Sequence, residues 1–366
     1  MTLHLYFARK FLASLAIVFL LFFLIMLMLG VVDQIRRFDI GTITFAQAIG
    51  LAALHTPASL YKILPLIVLL ATLTLFLGLA RSSELVIARA SGRSALRSLM
   101  APVLACIAAG GVTVAVFNPL VAATAQEYEA LSNRYSQGSG SVLSISPEGL
   151  WLRQGDVSGQ MVIRAAHTNT DGTVLQDVTF LAFGPDAAPL YRVEAARAAL
   201  TAGAWQLSDA KRWPLDDPSA IAERQAQRFE TLTVPSDLTR ERIRDSFGSP
   251  SDVPIWQLPD FIAELERAGF STRQHRVWFQ MELALPAFYV AMMLIAAGFT
   301  MRHTRFARTG PMVMLALGLG LALFFLRNFV QLMGESGQIP VALAAWSPPA
   351  IGIFLSLGLL LHLEDG

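Results

Sequence analysis

Residues 11–32 read FLASLAIVFLLFFLIMLMLGVV, an apolar run from Phe11 to Val32 that contains no charged residue. A bilayer core takes about 20 such residues of helix, and this run supplies them. It is too long for the core of a signal peptide, and no small-residue cleavage site follows it. It therefore reads as a retained transmembrane helix.

Five further runs resemble it. Phe45–Ala80 is interrupted at His55-Thr56-Pro57 and Lys62, which predicts a span over Leu60–Ala80 with residues 44–58 extending along the membrane surface. Leu99–Val121 is the third span, and Val277–Met301, Met312–Met333 and Val341–Leu361 follow after a long polar interval. The fold class expected is an α-helical membrane protein with six transmembrane helices, three plus three, and an inserted all-β domain. The divisions expected are 1–122, 123–276 and 277–366. Lys and Arg in short loops stay on the cytoplasmic side. Two at the N-terminus, four in 81–98 and three in 302–308 stand against Arg36 and Arg37 in the opposite loops. That asymmetry places both termini in the cytoplasm and 123–276 outside.

Composition agrees. The chain is 54% hydrophobic and 15% charged, where soluble domains run about 45–50% and about 25%. A net charge of +1 argues against a nucleic-acid partner held by phosphate contacts. Cys106 is the single cysteine and the six His are scattered, so neither a disulfide nor a metal site is expected. The three lysines, Lys10, Lys62 and Lys211, follow no glycine, so no phosphate-binding Gly-Lys-Ser/Thr loop exists. Any ATP would be hydrolysed on another chain.

The interval 123–276 changes character. Met161–Arg164, Thr173–Phe183, Leu190–Glu194, Ala204–Leu207 and Arg228–Leu232 are short β-branched or aromatic runs. Asp171-Gly172, Gly184-Pro185, Gly203 and Asp216-Asp217-Pro218 separate them, a spacing that predicts a β-sandwich or open barrel. Pro259–Ala268 then reads as an amphipathic helix stopped by Gly269.

Functional candidates fall in three places. Between the second and third spans lies RSSELVIARASG, Arg81 to Gly92. Ser82 or Ser83 is expected to cap a short helix there, with Glu84 in its first turn and Gly92 at its left-handed stop. Glu84 has Ile87 and Ala88 as forward neighbours and no local cation, which leaves it available to a partner. Arg36 and Arg37 end the first span against the positive-inside trend; they either anchor a helix end or grip phosphate, for which Arg forks are suited. Within the spans Glu282 is the lone carboxylate and Arg327 the deep cation, flanked by Asn328 and Gln331. They either pair with each other or line a wet cavity.

Ser83-Glu84-Leu-Val-Ile-Ala-Arg89-Ala-Ser-Gly92 resembles the coupling-helix motif of the LptF/LptG permease family. Val32-Asp33-Gln-Ile-Arg36-Arg37 after the first span, and Gly149-Leu-Trp151 opening the outer domain, resemble its LptG branch. The resemblance implies a jellyroll-like periplasmic domain and a coupling helix near 83–91, with Glu84, Ser83, Arg89 and Gly92 facing an ATPase. It implies that Asp33, Arg36 and Arg37 meet substrate lipid. It also implies a non-enzymatic subunit of the inner membrane of a Gram-negative cell, pairing with an LptF-like permease, exporting lipopolysaccharide, and driven by two LptB subunits that hold the ATP. LptC, and through it LptA, would receive the lipid. Relatives that carry a lysine two turns before the basic pair differ from this chain, which has Gly30 there. Two other classes compete: an ion-coupled secondary transporter, which needs more than one intramembrane carboxylate, and a membrane anchor for the β domain, which needs fewer spans.

Overall fold

The computed structural model describes residues 2–38, 43–82, 84, 95–135, 143–146, 149–156, 159–169, 172–184, 188–215, 223–236, 238–239, 243, 249–301 and 309–364. The chain forms two compact units. One comprises Met1–Ser136, Ser251–Trp256 and Arg273–Gly366; the other comprises Gln137–Pro250 and Gln257–Thr272.

Among the described residues of the first unit six helical passes are long and apolar enough to cross a membrane. They are α1 (Thr2–Arg37), α2 (Phe45–Arg81), α3 (Ala95–Val112) continued through a π-helical turn (Thr113–Phe117) into α4 (Asn118–Tyr135), and three more. Those are α6 (Arg273–Thr300), α7 (Thr309–Glu335) and α8 (Val341–Glu364), with α5 (Leu258–Ala268) belonging to the second unit. Helix α2 starts at Thr44, whose side chain and that of Gln47 cap each other's backbone N–H groups. It is one helix through Pro57 and Pro65, so the expected break at His55-Thr56-Pro57 is absent. Backbone groups in hydrocarbon have no water to turn to, which favours keeping the helical ladder across a proline. Likewise the third span does not stop at Val121, where its apolar run ends, but continues through Glu127, Glu129 and Arg134.

Helix α6 is the centre of this unit, burying Met281, Leu285, Phe288, Met292 and Ile295. Gly110 lets α3 lie against it: a Cβ there would sit 2.6 Å from Cα of Pro286. Helix α1 is peripheral, with Ile17, Leu20, Leu24 and Met28 exposed along it. Apolar surface on that scale faces lipid or another protein.

The second unit is a seven-stranded antiparallel meander in sequential order. Its strands are β1 (Leu143–Ser146), β2 (Gly149–Asp156), β3 (Gly159–Thr168), β4 (Val174–Phe183), β5 (Pro189–Thr201), β6 (Ala204–Pro214) and β7 (Gln227–Pro235). One face carries the core, with Ile163, Phe180, Val193, Trp205 and Leu207 buried and Leu265 of α5 (Leu258–Ala268) packed among them. Helix α5 ends at Gly269, with φ +94, where a Cβ would lie 2.3 Å from the Thr168 carbonyl oxygen. The predicted Gly269 stop is thus also a point of close backbone approach.

A crease crosses the sheet. Strict alternation would space buried residues by two, yet they step by three at Leu175 to Val178, Ala195 to Ala198, and Leu207 to Ala210. The strand pairing keeps its register on both sides, while the row Ala166, Asp177, Ala196, Asp209 and Glu230 is left out of it. Asp177 and Asp209 have φ of 50° and 53°, the left-handed region that Asp tolerates better than most residues. The sheet is also rolled. Ser236, just past β7, donates from Oγ to Oε1 of Gln154 on β2 at 2.6 Å, and Nε2 of Gln154 donates to the Pro235 carbonyl at 3.0 Å. Five ladder steps of about 4.8 Å would hold those strands about 24 Å apart on a flat sheet. Of the two architectures expected, the open barrel is the one formed.

Replacing Asp209 by Val should destabilise this unit by about 1–3 kcal/mol relative to Asp209→Gly, because a β-branched residue resists positive φ. Limited proteolysis of the intact chain against temperature measures the difference.

Candidate functional site

The first cluster lies where α2 ends. Ser82, one of the two caps expected for a following helix, closes α2, its backbone N–H donating to the carbonyls of Gly78 and Ala80; the other, Ser83, lies outside the described residues. Its hydroxyl also donates to Oε1 of Glu84 at 3.0 Å. Nor is Glu84 without a cation. Nζ of Lys10, on α1, donates to Oε1 at 2.7 Å and Oε2 at 2.8 Å, and the Tyr6 hydroxyl donates to Oε2 at 2.8 Å. Sequence reading searched Glu84's own helical neighbours and missed a cation 74 residues away. The remaining predicted positions of this motif, Ser83, Arg89 and Gly92, lie outside the described residues. Hydrogen bonds from Lys10, then from Tyr6, hold the Glu84 carboxyl below its ordinary pKa. The stabilisation they give is therefore present at neutral pH and is lost as pH falls through that lowered value. Both side chains are partly exposed, at 37% and 29%, and a pair in that setting is worth about 0–1 kcal/mol. Its part is to orient the carboxylate, which stays partly exposed.

The second cluster is at the other end of α1. Asp33, Arg36 and Arg37 are exposed. Gln34 between them is fully buried, and its Nε2 donates to the Tyr128 hydroxyl at 3.1 Å. Nη1 of Arg37 donates to the same hydroxyl at 2.9 Å. Arg37 is thus fixed by α4, while Arg36 projects one residue earlier. Neither Gln34 nor Tyr128 was singled out in the sequence, since one buried amide in a polar helix end carries no periodic signal.

The third cluster sits inside the bundle. Glu282 is 0% exposed. It accepts a short hydrogen bond at Oε2 from the Tyr61 hydroxyl of α2, and another at 3.3 Å from Nδ2 of Asn118, the first residue of α4. Asn118 in turn accepts from the backbone N–H of Ile255 at 2.9 Å, and Nε1 of Trp256 donates to the Ala115 carbonyl at 3.2 Å. Ala115 lies in the π-helical turn, where i→i+5 spacing loosens the usual carbonyl pairing. Arg327 does not form the ion pair that was one reading of the sequence. Its guanidinium lies 5.3 Å from the Phe288 ring centroid, while acting on Glu282 through space. Glu282 is enclosed, so it does not line an open cavity either; Tyr61 and Asn118, unpredicted, take the place expected of Arg327. Gln331 donates to Glu335 on its own helix at 2.8 Å, and Asn328 is exposed. Arg327, Asn328, Gln331 and Glu282 are therefore not one constellation.

Comparison with known proteins follows this geometry. The family described as "Lipopolysaccharide export system permease LptF/LptG" matches residues 5–362. The chain is similar to the lipopolysaccharide export system permease protein LptG of Haemophilus influenzae, 23% identical over 346 residues and 91% of each chain. It is similar to the protein of the same name from Escherichia coli strain K12, 23% identical over 337 residues and 90% of each chain.

Glu282→Leu should lower the melting temperature of the purified chain well below that of Glu282→Gln. Leu strands the Tyr61 hydroxyl and the Asn118 amide in a dry interior at about 1–3 kcal/mol each, whereas Gln still offers both an oxygen.

Proposed function

The chain belongs to the LptF/LptG family of lipopolysaccharide export permeases, and from that premise we propose that it is the LptG-type half of an ATP-driven lipopolysaccharide extractor. A family match running from residue 5 to residue 362 carries this reading, because it includes both helical sets and the inserted sheet. The chain is a multi-pass inner-membrane transporter subunit rather than an enzyme. In the proposed complex it pairs with an LptF-like permease. Two LptB subunits bind and hydrolyse the ATP, so this chain needs no cofactor of its own. Lipid leaves through the rolled sheet toward LptC and then LptA.

The orientation by charge puts Glu84 on the cytoplasmic side and the sheet in the periplasm. Glu84, with Ser83, Arg89 and Gly92, presents the ATPase with a carboxylate already aligned by hydrogen bonds. Cationic groups on the ATPase are its natural complement. At the opposite end of α1, Arg36 and Arg37 offer guanidinium forks to the phosphates of the lipid, with Asp33 setting the charge beside them. Arg37 is held by Tyr128 and supplies the fixed half of that grip; Arg36 supplies the adaptable half. Arg327 and its neighbours Asn328 and Gln331 face the transport path in this proposal, while Glu282 stays within the bundle as a structural carboxylate.

Two outcomes are expected in membranes holding the whole complex. Glu84→Ala should release the ATPase during affinity purification, since truncating one member of an interfacial charge pair costs about 2–5 kcal/mol. Retained ATPase and normal lipid export in that variant would refute the coupling role. Arg36→Ala combined with Arg37→Ala should lower the lipopolysaccharide recovered with the complex while leaving the ATPase bound. Undiminished lipid recovery would reduce the pair to helix anchors.

A further inference from the structure

Glu84 is joined to α2 by the chain and by the Ser82 hydroxyl, and its carboxylate is also held by α1. Tyr6 and Lys10 are four residues apart, which puts them on one face of that helix, and the Lys10 ammonium also lies 4.7 Å from the Tyr6 ring centroid. Between them they occupy both carboxylate oxygens. Helix α1 itself is 36 residues long, about 54 Å at the α-helical rise, and contains no proline. By contrast α2, α3, α6 and α8 each carry prolines in their interiors, at 57 and 65, 102, 286, and 348 and 349. Proline removes a backbone hydrogen bond and is the commonest cause of a kink. Helix α1 therefore has no proline hinge at which a push on one end would be absorbed. Its other end bears Arg37 and Gln34, both fastened to Tyr128 of α4.

We propose that Lys10 and Tyr6 are positioning residues for Glu84, and that they deliver the displacement of Glu84 into α1, which carries it to the Arg36–Arg37 end. The proposal rests on the assignment of Glu84 to the ATPase interface. It adds a specific route: an ATPase that moves Glu84 moves α1 together with α2. The contact is a tether from α1 to the carboxylate, and it consists of two side chains that no apolar pattern would require on α1. Loss of the tether should leave ATPase binding in place, because Glu84 keeps its charge, but should waste the motion.

The test uses the whole complex in nanodiscs, with retained ATPase, ATP turnover and lipopolysaccharide released per ATP measured on each variant. Lys10→Met keeps the length of the stem and removes the donor; it should retain the ATPase and its turnover while lipid released per ATP falls at least fivefold. Lys10→Arg, which can still donate to a carboxylate, should restore the ratio to near wild type. Tyr6→Phe removes a single oxygen and should lower the ratio partway. It decides the matter if Lys10→Met does not assemble, and an unchanged ratio in it then overturns the proposal. If Lys10→Met transports as wild type while Glu84→Ala loses the ATPase, the tether is overturned and the interface assignment stands. If Glu84→Ala also retains the ATPase and transports, the assignment fails and the proposal fails with it.

Discussion

A carboxylate with no exposure draws donors to itself, and the helical unit is organised by how Glu282, its Oε1 without a hydrogen-bond partner among the described residues, is served at Oε2. Its partners come from two other passes, Tyr61 on α2 and Asn118 at the start of α4, so three helices converge on one group. Asn118 can serve because the π-helical turn before it shifts the helix phase, and because its oxygen remains available to the Ile255 N–H. Removing any member leaves another polar atom unpaired in a medium with nothing else to offer. The packing of the apolar residues around α6 fills the space; this polar contact selects which faces of α2, α4 and α6 meet.

The parts of the fold that depend on long, repetitive signals were legible in the sequence. Six apolar runs gave six passes, and Gly172, Gly203 and Gly269 gave turns or a helix end at the residues expected. What escaped has identifiable causes. The strand β2 carries Gly149, Arg153 and Gly155 and is too mixed to read as a strand alone. In β5 the segment Glu194–Leu200 is alanine-rich and suits a helix by local propensity; neighbours β4 and β6 impose the extended form. The crease was invisible because it depends on two aspartates at positive φ acting in adjacent hairpins.

The candidate sites divide in the same way. Charged residues at the ends of spans, such as Glu84 and Arg37, stand out by contrast with their surroundings. The groups that orient them, Tyr6, Lys10, Gln34 and Tyr128, lie 74 to 94 positions away from their partners. No spacing rule reaches that far. The charged end of each contact was thus legible in a single sequence, while its partner within the chain required the fold.

The roll of the sheet is closed in a particular manner. Strand β1 pairs with Gly149–Leu152, so among the described residues the half of β2 that holds Gln154 has no backbone neighbour on that side. What closes the gap toward β7 is an amide and a hydroxyl, not a ladder. Neutral hydrogen bonds of this kind are worth about 0.5–1.5 kcal/mol each in net terms. Thermal fluctuation alone suffices to part them, whereas separating β6 from β7 would forfeit a whole run of paired residues. The wall is therefore a zip with one soft seam. Its widening leaves every strand pair intact, and it exposes the apolar interior along a single line.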